Sequence, residues 1–210
     1  MGEGGSLGLG CIALLNACVS QTPLPAVSED GLNLVANSNF DALYIRQGTD
    51  FEKYAKLSIQ PVTIAYSDER RTMHPILRDE DFQFSEKELG YFQERSAKGF
   101  IEGIEKSNTD KQATLIVRST IKDFYLVAPI KINLIQPNKN YVNESSRMEI
   151  TTELIDANSQ AVLLRVSDDI ETGYFNGGSH NLRPMNSVTY WQDVYREFRR
   201  WGHRIKTAIN

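Results

Sequence analysis

Met148-Glu149-Ile150-Thr151-Thr152-Glu153-Leu154-Ile155-Asp156-Ala157-Asn158-Ser159-Gln160-Ala161-Val162-Leu163-Leu164-Arg165-Val166 decides the fold class. Met148, Ile150, Thr152 and Leu154 fall on every second position, and Val162, Leu164 and Val166 resume the alternation, with Asp168 next in phase. A period of two places one side of each segment against a core. Asp156-Ala157-Asn158-Ser159 between them is turn chemistry, so the stretch reads as a β-hairpin.

Outward from the hairpin, Leu115, Val117, Ser119 and Ile121 alternate within 113–124, with Arg118 and Lys122 on the other side. That is a second sheet segment with one wet face. Further upstream, Leu57, Ile59, Val62, Ile64 and Tyr66 alternate but slip by one at Pro61. Proline cannot donate to a ladder, so a bulged strand is expected over 55–66. Ser85-Glu86-Lys87-Glu88 is a capping box. The helix it opens sets Leu89, Phe92, Ser96, Phe100, Ile101 and Ile104 on one side and ends near Ser107-Asn108. Residues 125–145, with Pro129 and Pro137, read as a loop holding a short strand. Ser187 is the expected N-cap of a last helix whose stripe is Val188, Trp191, Val194, Tyr195, Phe198, Trp201, Ile205 and Ile209. The expected class is α+β: a mostly antiparallel sheet with two amphipathic helices packed on one face, in the order β-α-β-β-β-α. No internal repeat is visible.

The chain has 210 residues and a formal net charge of −4, which argues against a general nucleic-acid binder. No apolar run approaches the roughly 18 residues of a membrane span. Its two cysteines, Cys11 and Cys18, both precede the expected body. A body without cysteine has no thiol nucleophile and no thiolate zinc site, and it suits an oxidising compartment.

Leu15-Asn16-Ala17-Cys18 follows the short apolar run Leu7–Leu15 and reads as a bacterial lipoprotein signal, with Cys18 as the acylated first residue of the mature chain. Met1-Gly2-Glu3-Gly4-Gly5-Ser6 departs from that pattern, having no Lys or Arg. The same residues also read as a Gly-rich tail. Val19 after the cysteine, rather than Asp, favours the outer membrane over inner-membrane retention. The expected division is 1–17 signal peptide, 18–39 a lipid-anchored flexible tether containing Pro23, Pro25 and Gly31, and 40–210 one periplasmic α+β domain.

Chemistry is harder to find. His74, His180 and His203 have no second ligand at metal spacing, and no phosphate-loop, dinucleotide or G-x-S-x-G pattern occurs. Asp79-Glu80-Asp81 lacks the spaced oxygens and turn glycine of a calcium loop. No cofactor, no metal and no enzymatic activity are expected. Two surfaces compete for a binding role. One is the polar side of the last helix, with Arg196, Arg199, Arg200, His203, Arg204 and Lys206. It reads as a contact for anionic headgroups or an acidic partner, or as a solvated face suited to the helix dipole. The other is loop-made: Tyr125 to Tyr141 with Tyr174-Phe175 and Gly177-Gly178, which could equally close the core.

Several segments together carry a resemblance: Asp41-Ala42-Leu43-Tyr44-Ile45; Phe51-Glu52-Lys53-Tyr54-Ala55-Lys56-Leu57; Gln60-Pro61-Val62; Ala113-Thr114-Leu115-Ile116-Val117-Arg118 with Ile121 and Asp123; Glu153-Leu154-Ile155-Asp156-Ala157; and Ala161-Val162-Leu163. The chain resembles the bacterial lipoproteins of domain of unknown function 3313, from about Asp41 to the last helix. Gln160 stands where such hairpins often carry Gly. The resemblance implies a lipid anchor and an envelope location, and no activity. The expected function is therefore a periplasm-facing binding or assembly module, joined to a membrane through Cys18 and meeting an envelope protein partner. The alternatives are a periplasmic hydrolase using loop residues such as Ser179 and His180, or an auxiliary component of an envelope lipid-transport complex.

Overall fold

The computed structural model describes residues 23–68, 79–104, 113–130, 140–173 and 182–210. Its elements are β1 (Asn33–Leu34), β2 (Ala42–Ile45), β3 (Tyr54–Ile59), β4 (Thr63–Tyr66), a 3-10 turn (Asp79–Phe82), α1 (Glu86–Ile104), β5 (Ala113–Leu126), β6 (Asn140–Val142), β7 (Ser146–Asp156), β8 (Val162–Thr172), β9 (Arg183–Met185) and α2 (Ser187–Ile209). The main sheet runs β1-β2-β8-β7-β5-β3, with β4 also pairing β5. A small ladder joins β6 to β9. The class is α+β and the sheet is mostly antiparallel.

The hairpin is β7 and β8, longer than its alternating core: Ser146 faces Thr172 at one end and Leu154 faces Leu164 near the other. At the turn, Asp156 Oδ1 accepts from the amides of Asn158 and Ser159 at 2.9 and 2.8 Å. Gln160 takes the left-handed backbone, φ +58°, that a glycine adopts freely.

Two expectations about strands change. The segment 55–66 is two strands rather than one, interrupted at Pro61, and both pair parallel with β5. Parallel pairing needs a long crossover, and the stretch that contains α1 supplies it. Short strands with little alternation, β1 and β2, extend the far side of the sheet next to β8. So the body does not begin at Phe40. Leu32 is fully buried, and Leu34 N donates to Ala26 O. From Pro23 on, the expected tether is folded strap; its first residues, 18–22, and the expected signal peptide, 1–17, lie outside the described ones.

One sheet face carries the core. Leu115, Val117 and Ile121 of β5, Met148, Ile150 and Leu154 of β7, and Leu164, Val166 and Ile170 of β8 pack with Phe92, Phe100 and Ile104 of α1 and with α2. The α2 stripe is Tyr190, Val194, Phe198, Trp201 and Ile205, all 3% exposed or less. Val188 sits about 160° round the helix from Tyr190 at 3.6 residues per turn, and is exposed, as is Ile101, on the side of α1 opposite Phe92. Trp191 and Tyr195 flank the stripe half-buried. The N-cap of α2 is Asn186, one residue earlier than expected. Its side chain accepts from Thr189 N, and Thr189 Oγ1 accepts from Asn186 N. At α1 the Ser85–Glu88 capping box forms as read: Ser85 N donates to Glu88 Oε2 at 2.8 Å.

The two helices meet backbone to backbone. A Cβ on Gly99 would run into Tyr195 O, one on Gly103 into Arg199 O, and one on Gly202 would lie 2.6 Å from Phe100 O. Buried Ser96 keeps the same line narrow and turns its hydroxyl to Gln93 O, 3.1 Å away. Trp201 then drives through to the sheet, where its Nε1 donates to Thr152 Oγ1 at 2.9 Å. Thr152 shares a further 2.9 Å hydrogen bond with Ser119. Glycine inside a helix costs about 0.5–1 kcal/mol relative to alanine, so the approach must return more than that. Gly103→Ala and Gly99→Ala should each destabilise the fold by about 1–3 kcal/mol through overpacking. Gly90→Ala, exposed on the same helix with open space beside it, should stabilise by about 0.5–1 kcal/mol. Urea midpoints followed by far-ultraviolet circular dichroism check both signs.

Candidate functional site

Among the described residues, no helix covers the sheet's second face. Alternation puts Arg118, Thr120 and Lys122 of β5, Thr151 and Glu153 of β7, Arg165 and Ser167 of β8, and Tyr44 of β2 on that side. Register aligns Arg118, Glu153, Arg165 and Tyr44 in one row across four strands. The row is an alternating charge ladder. Arg118 Nη2 lies 2.6 Å from Glu153 Oε2, and Arg165 Nε donates to Glu153 Oε1 at 2.9 Å. The fork of Arg165 reaches out to Asp30 of the strap, at 3.1 Å to Oδ1 and 2.7 Å to Oδ2. One row along, Thr151 and Ser167 share a hydroxyl hydrogen bond of 2.9 Å.

Residues 23–35 are held against this face. Gly31, at φ +79°, turns the strap back on itself, with Gly31 N donating to Ser28 O. Val27 and Asn33 form a bridge. Tyr44 Oη donates to Pro25 O at 3.1 Å, and Arg46 donates to Asp30 O and to Val162 O. Leu32, Tyr44 and Ile155 are buried without belonging to the main apolar cluster. Burial pushes the Asp30 carboxyl up, but the Ser28 hydroxyl and the Arg165 guanidinium outweigh it and hold Asp30 below its ordinary value. Burial likewise opposes the charge on Arg165, and Asp30 and Glu153 reverse that, raising it above the usual guanidinium value.

The arginines of α2 do not form one free cationic face. Arg196 pairs with the buried carboxylate of Asp193, which also accepts from Ser145 Oγ at 2.8 Å. Arg200 lies 3.1 Å from Glu197, whose carboxyl burial holds above its ordinary value against the pull of Arg200. Arg204 is a clasp: 2.6 Å from Asp168, bonded to Asn39 O, and stacked 4.4 Å over the Phe40 ring. Burial, ahead of the Arg204 charge, sets Asp168 above its ordinary value. Arg199 is exposed, and Lys206 is half-buried with a partner of its own. Periodicity placed these cations on one side of the helix, but the acids between them, and Asp168 across from them, are set by tertiary packing.

Cys18, Ser179, His180, His74, Tyr174-Phe175 and Gly177-Gly178 lie outside the described residues. His203 is exposed on α2. Among the described residues, no three His, Cys, Asp or Glu side chains are grouped to hold a metal, and no helix is long and apolar enough to cross a membrane. The ladder residues Glu153, Arg165 and Asp30 were not singled out from sequence. Arg118, Glu153 and Arg165 share a phase opposite to the apolar one, and that signal could have found them; nothing local marks Asp30.

No family model matches the chain, and no curated protein does. Among solved structures, two crystal forms of a PelC dodecamer from Paraburkholderia phytofirmans are similar. A variant in one form has a TM-score of 0.35, and the other 0.34. Each is 11% identical and covers 77% of this chain and 95% of the PelC chain.

The hairpin turn carries a separate electrostatic signature. Tyr54 Oη donates to Asp156 Oδ2 at 2.5 Å, tying β3 to the turn between β7 and β8. That hydroxyl, and then the turn amides and Ser159, hold Asp156 down to about 2. A depressed carboxylate stabilises the fold above its unfolded value, about 3.9, and the contribution fades as pH falls from there through the folded value. Carboxyl-carbon NMR should show Asp156 titrating near 2 in the parent chain. In Tyr54→Phe its midpoint should move up toward the ordinary range, with the acid limb of the stability curve shallower. An unmoved midpoint would assign the depression to the turn amides alone.

Proposed function

We propose that this chain is a lipid-anchored, periplasm-facing binding or assembly module of a bacterial envelope, held on the outer membrane through acylated Cys18. The observation that carries the module reading is the sheet face that no described helix covers. Beside the strap it offers a row of mutually paired charges and hydroxyls, Arg118, Glu153, Arg165, Thr151 and Ser167. Such a surface suits an envelope protein partner of complementary pattern: each ladder charge already has a countercharge, so register rather than net charge selects what docks. The anchor reading is supported by the Leu15-Asn16-Ala17-Cys18 pattern and by the position of Cys18 seven residues before Pro25, whose carbonyl Tyr44 holds.

Intact mass of the chain expressed in a bacterial host, with membrane fractionation, tests this. The expected species begins at Cys18, carries diacylglycerol and sediments with membranes, and Cys18→Ser should abolish both features. An unprocessed chain of all 210 residues in the soluble fraction would overturn the anchor.

A further inference from the structure

An anchor at Cys18 constrains more than location, because the folded body starts so soon after it. Pro25, whose carbonyl accepts from Tyr44 Oη, lies seven positions after Cys18. Fully extended, that stretch reaches at most about 25 Å at ~3.3–3.6 Å per residue. A body of about 185 residues has a radius of gyration near 16 Å and so a much larger diameter. The strap must therefore stay within a fraction of the protein's own width of the lipid, whatever path the intervening residues take.

The strap also has the right surface. Leu24, Val27 and Val35 are 49%, 54% and 36% exposed, three large apolar side chains within one short segment. The strap is not a loose end that would carry these residues about independently. Asp30 is forked to Arg165, Pro25 O is held by Tyr44, and Leu34 is bonded to Ala26 O. Orientation of the strap is orientation of the sheet. Its own charges are Glu29 and Asp30, the latter already paired, so attraction to anionic headgroups does not explain the apolar exposure. A second exposed apolar group, Tyr141, Leu182 and Val188, lies by the β6–β9 ladder and the start of α2.

We propose that Leu24, Val27 and Val35 lie against the lipid surface that holds the Cys18 anchor, so that the domain stands on its strap-bearing β1–β2 side and leaves the β5 end of the open face, with Arg118 and Glu153, to a partner. This rests on the anchor reading above. The contact is apolar and shallow, adding buried area to the acyl chains rather than replacing them. In this pose the exposed arginines of α2, Arg196, Arg199 and Arg200, belong to the layer on the other side of the sheet. They do not meet the membrane that carries the anchor.

The test uses the lipidated full chain in vesicles of phosphatidylethanolamine and phosphatidylglycerol containing a phospholipid with a photoactivatable diazirine near its headgroup. Adducts are mapped by mass spectrometry. They should fall on the Pro23–Val35 peptide in several-fold excess over peptides from Leu182–Ile209, and should persist at high salt, where screening weakens contacts between exposed charges. Leu24→Glu with Val27→Glu should lower strap adducts several-fold while the chain still sediments with the vesicles. Adducts concentrated on Leu182–Val188 or on α2 would overturn the pose. Strap adducts unchanged in the double variant would overturn the apolar contact, leaving only proximity through a short link. A Cys11→Ser chain coupled at Cys18 to a maleimide-headed lipid gives the same geometry without cellular processing. Failure of the natural chain to acquire diacylglycerol would then sink the anchor reading alone, and the pose would stand or fall on the coupled chain.

Discussion

Everything above the sheet depends on how closely α1 and α2 can approach. Gly99 and Gly103, one turn apart on α1, face the backbone of Tyr195 and Arg199, while Gly202 faces that of Phe100 from the other side. With the helices this close, the α2 stripe and Phe92 and Phe100 share a single layer over β5, β7 and β8. Wider spacing would open voids beside Phe92 and Phe198, whose rings meet edge-on at 5.7 Å. It would also withdraw Trp201 from Thr152, leaving a buried N–H without its acceptor, a loss of about 1–3 kcal/mol. The glycines set a distance, and the aromatic layer and the Trp201 hydrogen bond are built to that distance.

Where the sequence was legible, a regular period was carried by long segments. The hairpin, β5, both helices and the interruption at Pro61 follow from alternation, helical spacing and the chemistry of proline. Strand direction was not legible. Alternation is the same in parallel and antiparallel strands, and only the α1 crossover makes β3 and β4 run parallel to β5. β1 and β2 escaped because two and four residues cannot display a period. Compositionally the strap looked like a linker, with its prolines, Gly31 and polar residues. What folds it is long-range: Asp30 meets Arg165 across 135 positions, and no local pattern can register that. The same holds for the α2 cations. Their spacing was visible, while the carboxylates that answer Arg196, Arg200 and Arg204 depend on side-chain packing.

The two sheet faces divide the work of the fold. One is closed by aromatic rings and carries the hydrophobic stabilisation. The other is crossed by Arg118, Glu153, Arg165 and Asp30, a chain of pairs that are partly solvent-exposed. Exposed pairs contribute only about 0–1 kcal/mol each, so the ladder is better understood as alignment than as strength. It fixes where the strap lies, and by matching opposite charges strand by strand it penalises any slip in the register of β5, β7 and β8. A one-residue slip would part Arg118 from Glu153 and Glu153 from Arg165, set each opposite an uncharged residue, and turn the apolar set outward.

Pro61 has a consequence for how one copy of the chain meets another. The outermost strands on one side, β3 and β4, together present an edge, but the edge is cut into pieces of six and four residues with a proline between them. A long, flat edge invites pairing with a neighbour's edge. Two short segments offset by a shift in register, with a residue between them that cannot donate, offer a neighbouring strand no continuous template. The break that makes the strand hard to read in the sequence is also a guard against sheet-to-sheet polymerisation.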